Sequence, residues 1–290
     1  NGVNEIEEME NLPSSLLDFL KKKAFLDNLS LIEKKIAEDG TIKYLWQLRD
    51  QGQIESVYLP YYQGKRNSVC VSTQVGCRMN CQFCATGLDG LKRNLTPGEI
   101  VDQVLQIQKD ISTISFGEPS LTNIVFMGMG EPLDNLENVI SSIKIFNEEK
   151  GLNFGMRKMT VSTAGLIPGI EYLSKLGWQL GLAVSLNAPH NSLRDKIMPI
   201  NKKYPLSELL SAVKNYIDST GRRVTFEYVL IKGVNEAPEL ARELSSLLKN
   251  INCHLNLIPV NPVSTLAVKR PSPETIQKFK SIVDESGLNV

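Results

Sequence analysis

From Thr41 the chain alternates with a period of two. Ile42, Tyr44, Trp46 and Leu48 fall on one side of an extended backbone, Asp50-Gln51-Gly52 supplies a turn, and the alternation resumes through Ile54-Glu55-Ser56-Val57-Tyr58-Leu59. The pattern predicts a β-hairpin leading into a strand over Ser68 to Ser72. Upstream, Leu16, Leu17, Phe19 and Leu20 follow Pro13-Ser14-Ser15 at near-helical spacing, and a charged stretch through Ile32 to Ala37 reads as a second helix. Residues 12 to 38 therefore look like the remnant of an N-terminal helical accessory domain.

After residue 95 strands and helices take turns. Thr96-Pro97-Gly98-Glu99 has the cap, the first-turn proline and the third-position acid of a helix start, with Ile100, Val104 and Ile107 behind it. Asn123 to Met127, Lys158 to Ser162, Leu180 to Leu186, Val224 to Ile231 and His254 to Pro259 read as buried strands separated by amphipathic stretches, the signature of parallel βαβ units with right-handed crossovers. Counting Ser68 to Ser72, there are six such strands. Periodicity leaves a doubly wound sheet and an incomplete barrel both open. In either, Cys77 to Cys84, Gly128 to Glu131, Ser162-Thr163, Ser185 to Asn187 and Asn261 fall at or just past strand C-terminal ends, where such sheets place ligands.

Composition narrows the class. With 290 residues, 42% of them hydrophobic, the chain can bury one large core, and no apolar run is long enough to cross a bilayer. The formal net charge is zero, so no global positive field announces nucleic acid. Basic clusters at Lys21 to Lys23, Lys65-Arg66, Lys202-Lys203, Arg222-Arg223 and Lys269-Arg270 read as solvated faces. The sequence starts at Asn1 without a methionine and ends at Val290 in what reads as the opening of a strand, so it is expected to be a piece of a longer protein.

The chemistry concentrates in Cys77-Arg-Met-Asn-Cys81-Gln-Phe-Cys84. Three thiolates on one short loop suit a [4Fe-4S] cluster whose fourth iron is open to a non-protein ligand, whereas an electron-transfer cluster takes four. A zinc site needs a fourth ligand, for which the nearest alternatives are Cys70 or the distant Cys253 and His254. Five cysteines leave one unpaired, and a compact thiol cluster points to a reducing cytosol. Cys70, with Ser72 and Gln74 on the same side of its strand, is either a small core residue or a rim thiol able to act as a base or form a transient disulfide. Cys253 reads as packing, and His190 and His254 carry no catalytic pattern. Met127-Gly-Met-Gly130-Glu131-Pro132 lacks the third glycine of a dinucleotide fingerprint and the lysine of a phosphate loop. It is either an ordinary βα turn or a segment whose glycines bring backbone close to a ligand. Glu55 is either a solvent-facing strand carboxylate or, if the hairpin covers the rim, a proton acceptor.

The run from Cys70 to Gly87, with Arg93-Asn-Leu-Thr96 and Gly98-Glu-Ile100, resembles the RlmN/Cfr family of radical S-adenosylmethionine (SAM) RNA methyltransferases, most closely its RlmN branch. So do Gly128-Met-Gly-Glu131-Pro, Val161-Ser-Thr163, Val184 to Pro189, Arg194-Asp195, Pro199 to Tyr204, Arg223 to Tyr228 and Asn256 to Pro262. The resemblance implies a partial (β/α)6 barrel over 68–290, preceded by a β-hairpin extension over 41–67 and the helical remnant over 1–40. It implies a [4Fe-4S] cluster on Cys77, Cys81 and Cys84, and SAM held by Gly130, Glu131, Ser162, Ser185, Leu186, Asn187 and Asn261, Glu131 meeting the SAM ammonium. The implied reaction is methylation of adenosine C2 in the peptidyl-transferase region of 23S rRNA and at the adenosine 3' of a tRNA anticodon, through a 5'-deoxyadenosyl radical. Glu55 is then the candidate proton acceptor and Cys70 the thiol that resolves a covalent adduct with disulfide formation. An external electron donor such as flavodoxin or ferredoxin, a cytoplasmic monomer and no membrane association complete the expectation. In the family a methyl-carrying cysteine follows the counterpart of Gly287 to Val290, where this sequence stops, so SAM cleavage without RNA methylation is expected of the chain as written. A C8-specific relative of the Cfr type and a non-catalytic RNA- or metal-binding homologue are the alternatives.

Overall fold

The computed structural model describes residues 5–26, 28–61, 66–114, 121–263 and 265–290; Lys65 of the second basic cluster lies outside them. A helix α1 (Ser14–Lys23) is followed by three strands, β1 (Leu29–Ile36), β2 (Ile42–Leu48) and β3 (Gln53–Pro60). Then come β4 (Asn67–Cys70), a short β5 (Gln74–Gly76), β6 (Leu91–Asn94) and α2 (Pro97–Ile114). The chain continues as β7 (Asn123–Phe126), α3 (Leu136–Asn147), β8 (Met159–Thr163), α4 (Ile167–Lys175) and β9 (Gly181–Ser185). It closes with α5 (Asn191–Ile197), α6 (Leu206–Thr220), β10 (Val224–Leu230), α7 (Pro238–Leu248), β11 (Cys253–Pro259) and α8 (Pro273–Glu285).

Among the described residues nine strands form one open sheet in the order β1-β2-β3-β4-β7-β8-β9-β10-β11, and β5 and β6 form a separate two-stranded ribbon. β4 and the five strands from β7 onward run parallel, with helices on the connections, which is the partial (β/α)6 barrel. β1, β2 and β3 extend it antiparallel. The expected helix over Ile32 to Ala37 is therefore corrected: this stretch is strand β1, paired with β2 from Leu29↔Leu48 to Ile36↔Ile42. A tight turn at Asp39-Gly40 decides it. Ala37 N–H donates to Thr41 O at 2.8 Å and Asp39 Oδ1 accepts from Thr41 N–H at 2.9 Å, so the charged run is folded back on β2 as an edge strand.

The convex side of the sheet is dry. Tyr44, Trp46, Ile54, Tyr58, Val69, Val71, Ile124, Phe126, Val161, Leu182, Val184, Phe226 and Tyr228 are all buried under the helices. α2 starts as its sequence predicts: Thr96 N–H donates to Glu99 Oε2 at 2.8 Å, Glu99 N–H donates to Thr96 Oγ1 at 3.3 Å, and Arg93 grips both carboxylate oxygens at 2.9 and 2.8 Å. One turn on, Gln103 Oε1 accepts from Ser56 Oγ at 2.7 Å and from Ser72 N–H at 2.8 Å, while its amide donates to Ser72 O at 3.0 Å. This buried knot ties α2 to β3 and to the exit of β4, where the cysteine loop begins.

Candidate functional site

The ribbon of β5 and β6 closes the cysteine loop at its base. Cys77 N–H donates to Gly90 O at 3.1 Å. Gly76 sits at φ +76°, and a Cβ there would stand 2.0 Å from Gly90 O, so only glycine lets the two ends of the loop meet. At its far side the loop is held by α5, with Gln82 N–H donating to Ile197 O at 3.0 Å. Cys77 and Met79 pack with Ala164, Ala188, Ile197 and Met198, and Cys81 and Phe83 rest against that small apolar cluster.

Cys77 is buried, Cys81 and Cys84 are half-buried, and the three thiols feel one another electrostatically. Burial pushes the Cys77 thiol up to about 11 and the Cys81 thiol up to about 12. Among the described residues no three His, Cys, Asp or Glu side chains gather around a point where one ion would sit. Three thiolates on one loop match the ligand set of a cubane, which takes them on three different irons, whereas a structural zinc site takes four ligands.

The other residues singled out line up along the same rim or on the concave side of the sheet below it. Cys70 pairs with Val57 of β3 and Val125 of β7, and Glu55, two residues before Val57, lies diagonally across from Cys70 on the same sheet face. Burial raises the Cys70 thiol to about 12, partly offset by a hydrogen bond from the Met127 backbone. Glu55 is half-exposed and ion-paired with Lys43 at 2.7 Å. All five cysteines are free, so the disulfide expected for Cys70 is not formed in this structure. Cys253 begins β11, at the opposite end of the parallel strands from the rim, in keeping with a packing role.

Several expected ligand contacts are taken by the protein itself. Gly130, at φ +99°, presses against the chain: a Cβ there would stand 2.6 Å from Gln74 Cβ. Gln74 does not continue the face of Cys70 and Ser72. β4 ends before it, and its buried amide accepts from Glu131 N–H and donates to Asn94 Oδ1 and Asp134 Oδ2, each at 2.8 Å. The Glu131 carboxylate, expected to meet the ligand, is buried and accepts from Ala164 N–H at 2.6 Å and Leu133 N–H at 3.1 Å. Burial raises it to about 7 against the pull of these donors and of the Thr163 hydroxyl. Ser162 Oγ donates to Phe126 O at 2.6 Å. Asn187 takes φ +59° and is locked from three sides: Val229 N–H donates to its Oδ1 at 2.7 Å, Asn235 Nδ2 to its carbonyl at 2.9 Å, and its own amide reaches Met198 Sδ at 3.2 Å. Ser185 is half-buried and Leu186 buried, and the carbonyls of both accept from Arg194. Asn261 is exposed just past β11.

Two rim residues were not among the site residues expected from sequence. Arg194 is wholly buried, and Glu227 faces the concave side beside Ser185, with Asn256 Nδ2 donating to its Oε2 at 2.8 Å. Alternation along β10 is the signal for Glu227, since Val224, Phe226, Tyr228 and Leu230 occupy the other face.

A sequence model of the radical SAM superfamily matches residues 71–244, which span the cysteine loop and the strands through β10. The chain is thus a radical SAM protein, a class that takes a [4Fe-4S] cluster and SAM. It is 48% identical to the probable dual-specificity RNA methyltransferase RlmN of Alkaliphilus oremlandii (strain OhILAs), over 99% of this chain and 82% of that protein. It is 47% identical to the protein of the same name from Geobacillus kaustophilus (strain HTA426), over 100% of this chain and 78% of that one. The crystal structure of a radical SAM methyltransferase from Sphaerobacter thermophilus superposes with a TM-score of 0.93 at 44% identity, covering 99% of this chain and 83% of the other. Within the radical SAM superfamily, the chain belongs to the RlmN family.

Two predictions follow from the geometry. Gly76→Ala drives a Cβ into Gly90 O and should cost loop closure about 3 kcal/mol, near the upper end for overpacking; iron bound after anaerobic reconstitution is expected to fall far below wild type, and wild-type iron content would contradict the assignment of the ribbon as the loop's clasp. For Glu131, the folded state holds a proton that the unfolded chain releases near the ordinary value of 4.5, so its stabilising contribution is full below that pH and is lost as pH rises toward about 7. Urea midpoints of the metal-free protein at about pH 5 and about pH 7.5 should therefore differ less in Glu131→Gln than in wild type; equal differences would contradict it.

Proposed function

We propose that the protein methylates C2 of an adenosine in the peptidyl-transferase region of 23S rRNA and of the adenosine 3' of a tRNA anticodon. One observation carries the reading: Cys77 and Cys81 pack against Ala164 and Ala188, just past the ends of β8 and β9, in a chain nearly half identical to named RlmN methyltransferases. Adenine C2 is an electron-poor carbon without a lone pair, so polar methyl transfer has no nucleophile to use. When bound, the cluster and SAM supply one-electron cleavage of the sulfonium and hence a 5'-deoxyadenosyl radical.

In this reading Cys77, Cys81 and Cys84 hold the cluster, and Gly130, Glu131, Ser162, Ser185, Leu186, Asn187 and Asn261 shape the SAM site. Because Glu131, Ser162 and Asn187 spend their side chains on the fold, they act by fixing strand-end backbone, and Ser185 and Asn261 are the more available for ligand contact. Cys70 is a protonated thiol at neutral pH. To take the C2 proton it must first be deprotonated, and Glu55 shares its face of the sheet. An external one-electron donor of the flavodoxin or ferredoxin class reduces the cluster, and the protein works as a cytoplasmic monomer. No described helix is long and apolar enough to cross a membrane.

Anaerobically reconstituted protein given SAM and a reductant is expected to release 5'-deoxyadenosine, and Cys81→Ala to lower that release to background. In cells, deleting the gene should remove 2-methyladenosine from both digested rRNA and tRNA. No 5'-deoxyadenosine from the wild type, or loss of 8-methyladenosine instead, would overturn the reading.

A further inference from the structure

Among the described residues Arg194 is the largest fully buried side chain, and no carboxylate forms an ion pair with it. Its hydrogen-bond partners are all neutral. Nε donates to Leu186 O at 3.0 Å, Nη1 to Asn201 Oδ1 at 2.9 Å, and Nη2 to Ala164 O at 2.7 Å and Ser185 O at 2.9 Å. A buried guanidinium ordinarily comes with an anion, because neutral acceptors satisfy its N–H groups without cancelling its charge. Two acids stand nearby in the network and neither meets it. Asp195 Oδ1 accepts from Asn201 Nδ2 at 2.6 Å, and Glu131 lies on the far side of the Ala164 peptide, whose N–H it accepts while Arg194 takes the carbonyl. Glu131 is itself pushed by burial toward its neutral form.

Asp195 acts on Arg194 through space but no acid hydrogen-bonds it, so the buried guanidinium keeps a charge that its direct partners do not cancel. Arg194 lies on α5, whose Ile197 carbonyl accepts from Gln82 of the cysteine loop, and the Ala164 that its Nη2 holds packs in one small cluster with Cys77 and Cys81. A [4Fe-4S] cluster on three thiolates is an anion, and one electron makes it more so. We propose that Arg194 is the built-in counter-charge of that cluster, raising its reduction potential while holding the Ala164, Ser185 and Leu186 carbonyls in place. The inference rests on the reading that Cys77, Cys81 and Cys84 carry the cluster. Arg194 touches no reacting atom and is a positioning residue, with its charge as the property that matters. Buried in a medium of low dielectric, one cation close to the cluster favours the more reduced, more negative state, as a nearby cation favours any anion.

The test is the midpoint potential of the cluster, followed by electron paramagnetic resonance during a redox titration of reconstituted wild type, Arg194→Lys and Arg194→Gln. Arg194→Gln is expected to have a lower potential than wild type, and Arg194→Lys, which keeps the charge but loses most of the four hydrogen bonds, to stay near it. A glutamine variant at the wild-type potential, or a lysine variant as low as the glutamine one, overturns the proposal. Should Arg194→Gln fail to fold, Arg194→Met, which keeps the length of the stem and removes the charge, takes its place: a lowered potential supports the proposal and an unchanged one overturns it. Wild-type protein that takes up no cluster is a different outcome, and it defeats the underlying reading of the cysteines.

Discussion

The closure of the cysteine loop is the constraint on which the site depends. Three thiols are presented together only because the chain doubles back between Gly76 and Gly90 without room for a Cβ, while α5 grips the loop through Ile197. The knot of Ser56, Ser72 and Gln103 sets where that loop leaves the sheet. Each of these polar atoms is buried, and leaving one unpaired costs about 1–3 kcal/mol, so the loop's origin is fixed with some force. Chemistry at the rim inherits its geometry from this hairpin of backbone rather than from the cysteines themselves.

From that anchor the remaining strand ends are tied in series. Gln74 holds the turn after β7 by accepting from Glu131, Glu131 holds the turn after β8 by accepting from Ala164, and Arg194 holds Ala164 together with the end of β9. Asn187 and Asn235 then lock the end of β9 to β10. Side chains that a ligand-centred view assigns to SAM are in large part spent on one another, and what they present is a row of fixed backbone. The concave face below stays half-buried, with Cys70, Ser162, Ser185 and Glu227 facing a space the convex face does not have.

The parallel strands were legible because their helix-covered face is buried, which sets apolar residues at every second position of short runs, and α2 because its cap is local chemistry. The strand over Leu29–Ile36 was not. Leu31 and Ile32 next to Glu33, Lys34 and Lys35 carry no alternation, and pairing with β2 through the Asp39-Gly40 turn overrode the helical look of the charges. Gln74 was misread for a related reason: alternation assumes the strand continues, and β4 stops at Cys70. Arg194 was invisible as a charge, since its burial is set by residues from β8, β9 and the segment after α5 that only the fold brings together. The cysteine spacing, in contrast, announces its chemistry because all three donors sit on one loop.

The central claim is that three thiolates of this chain hold a cubane whose remaining iron is free for SAM. Mössbauer spectra of the protein reconstituted with 57Fe, recorded without and with SAM, address it directly. The account predicts that SAM shifts the signal of one iron in four and leaves the other three as they were. Four irons that all ignore SAM would contradict it.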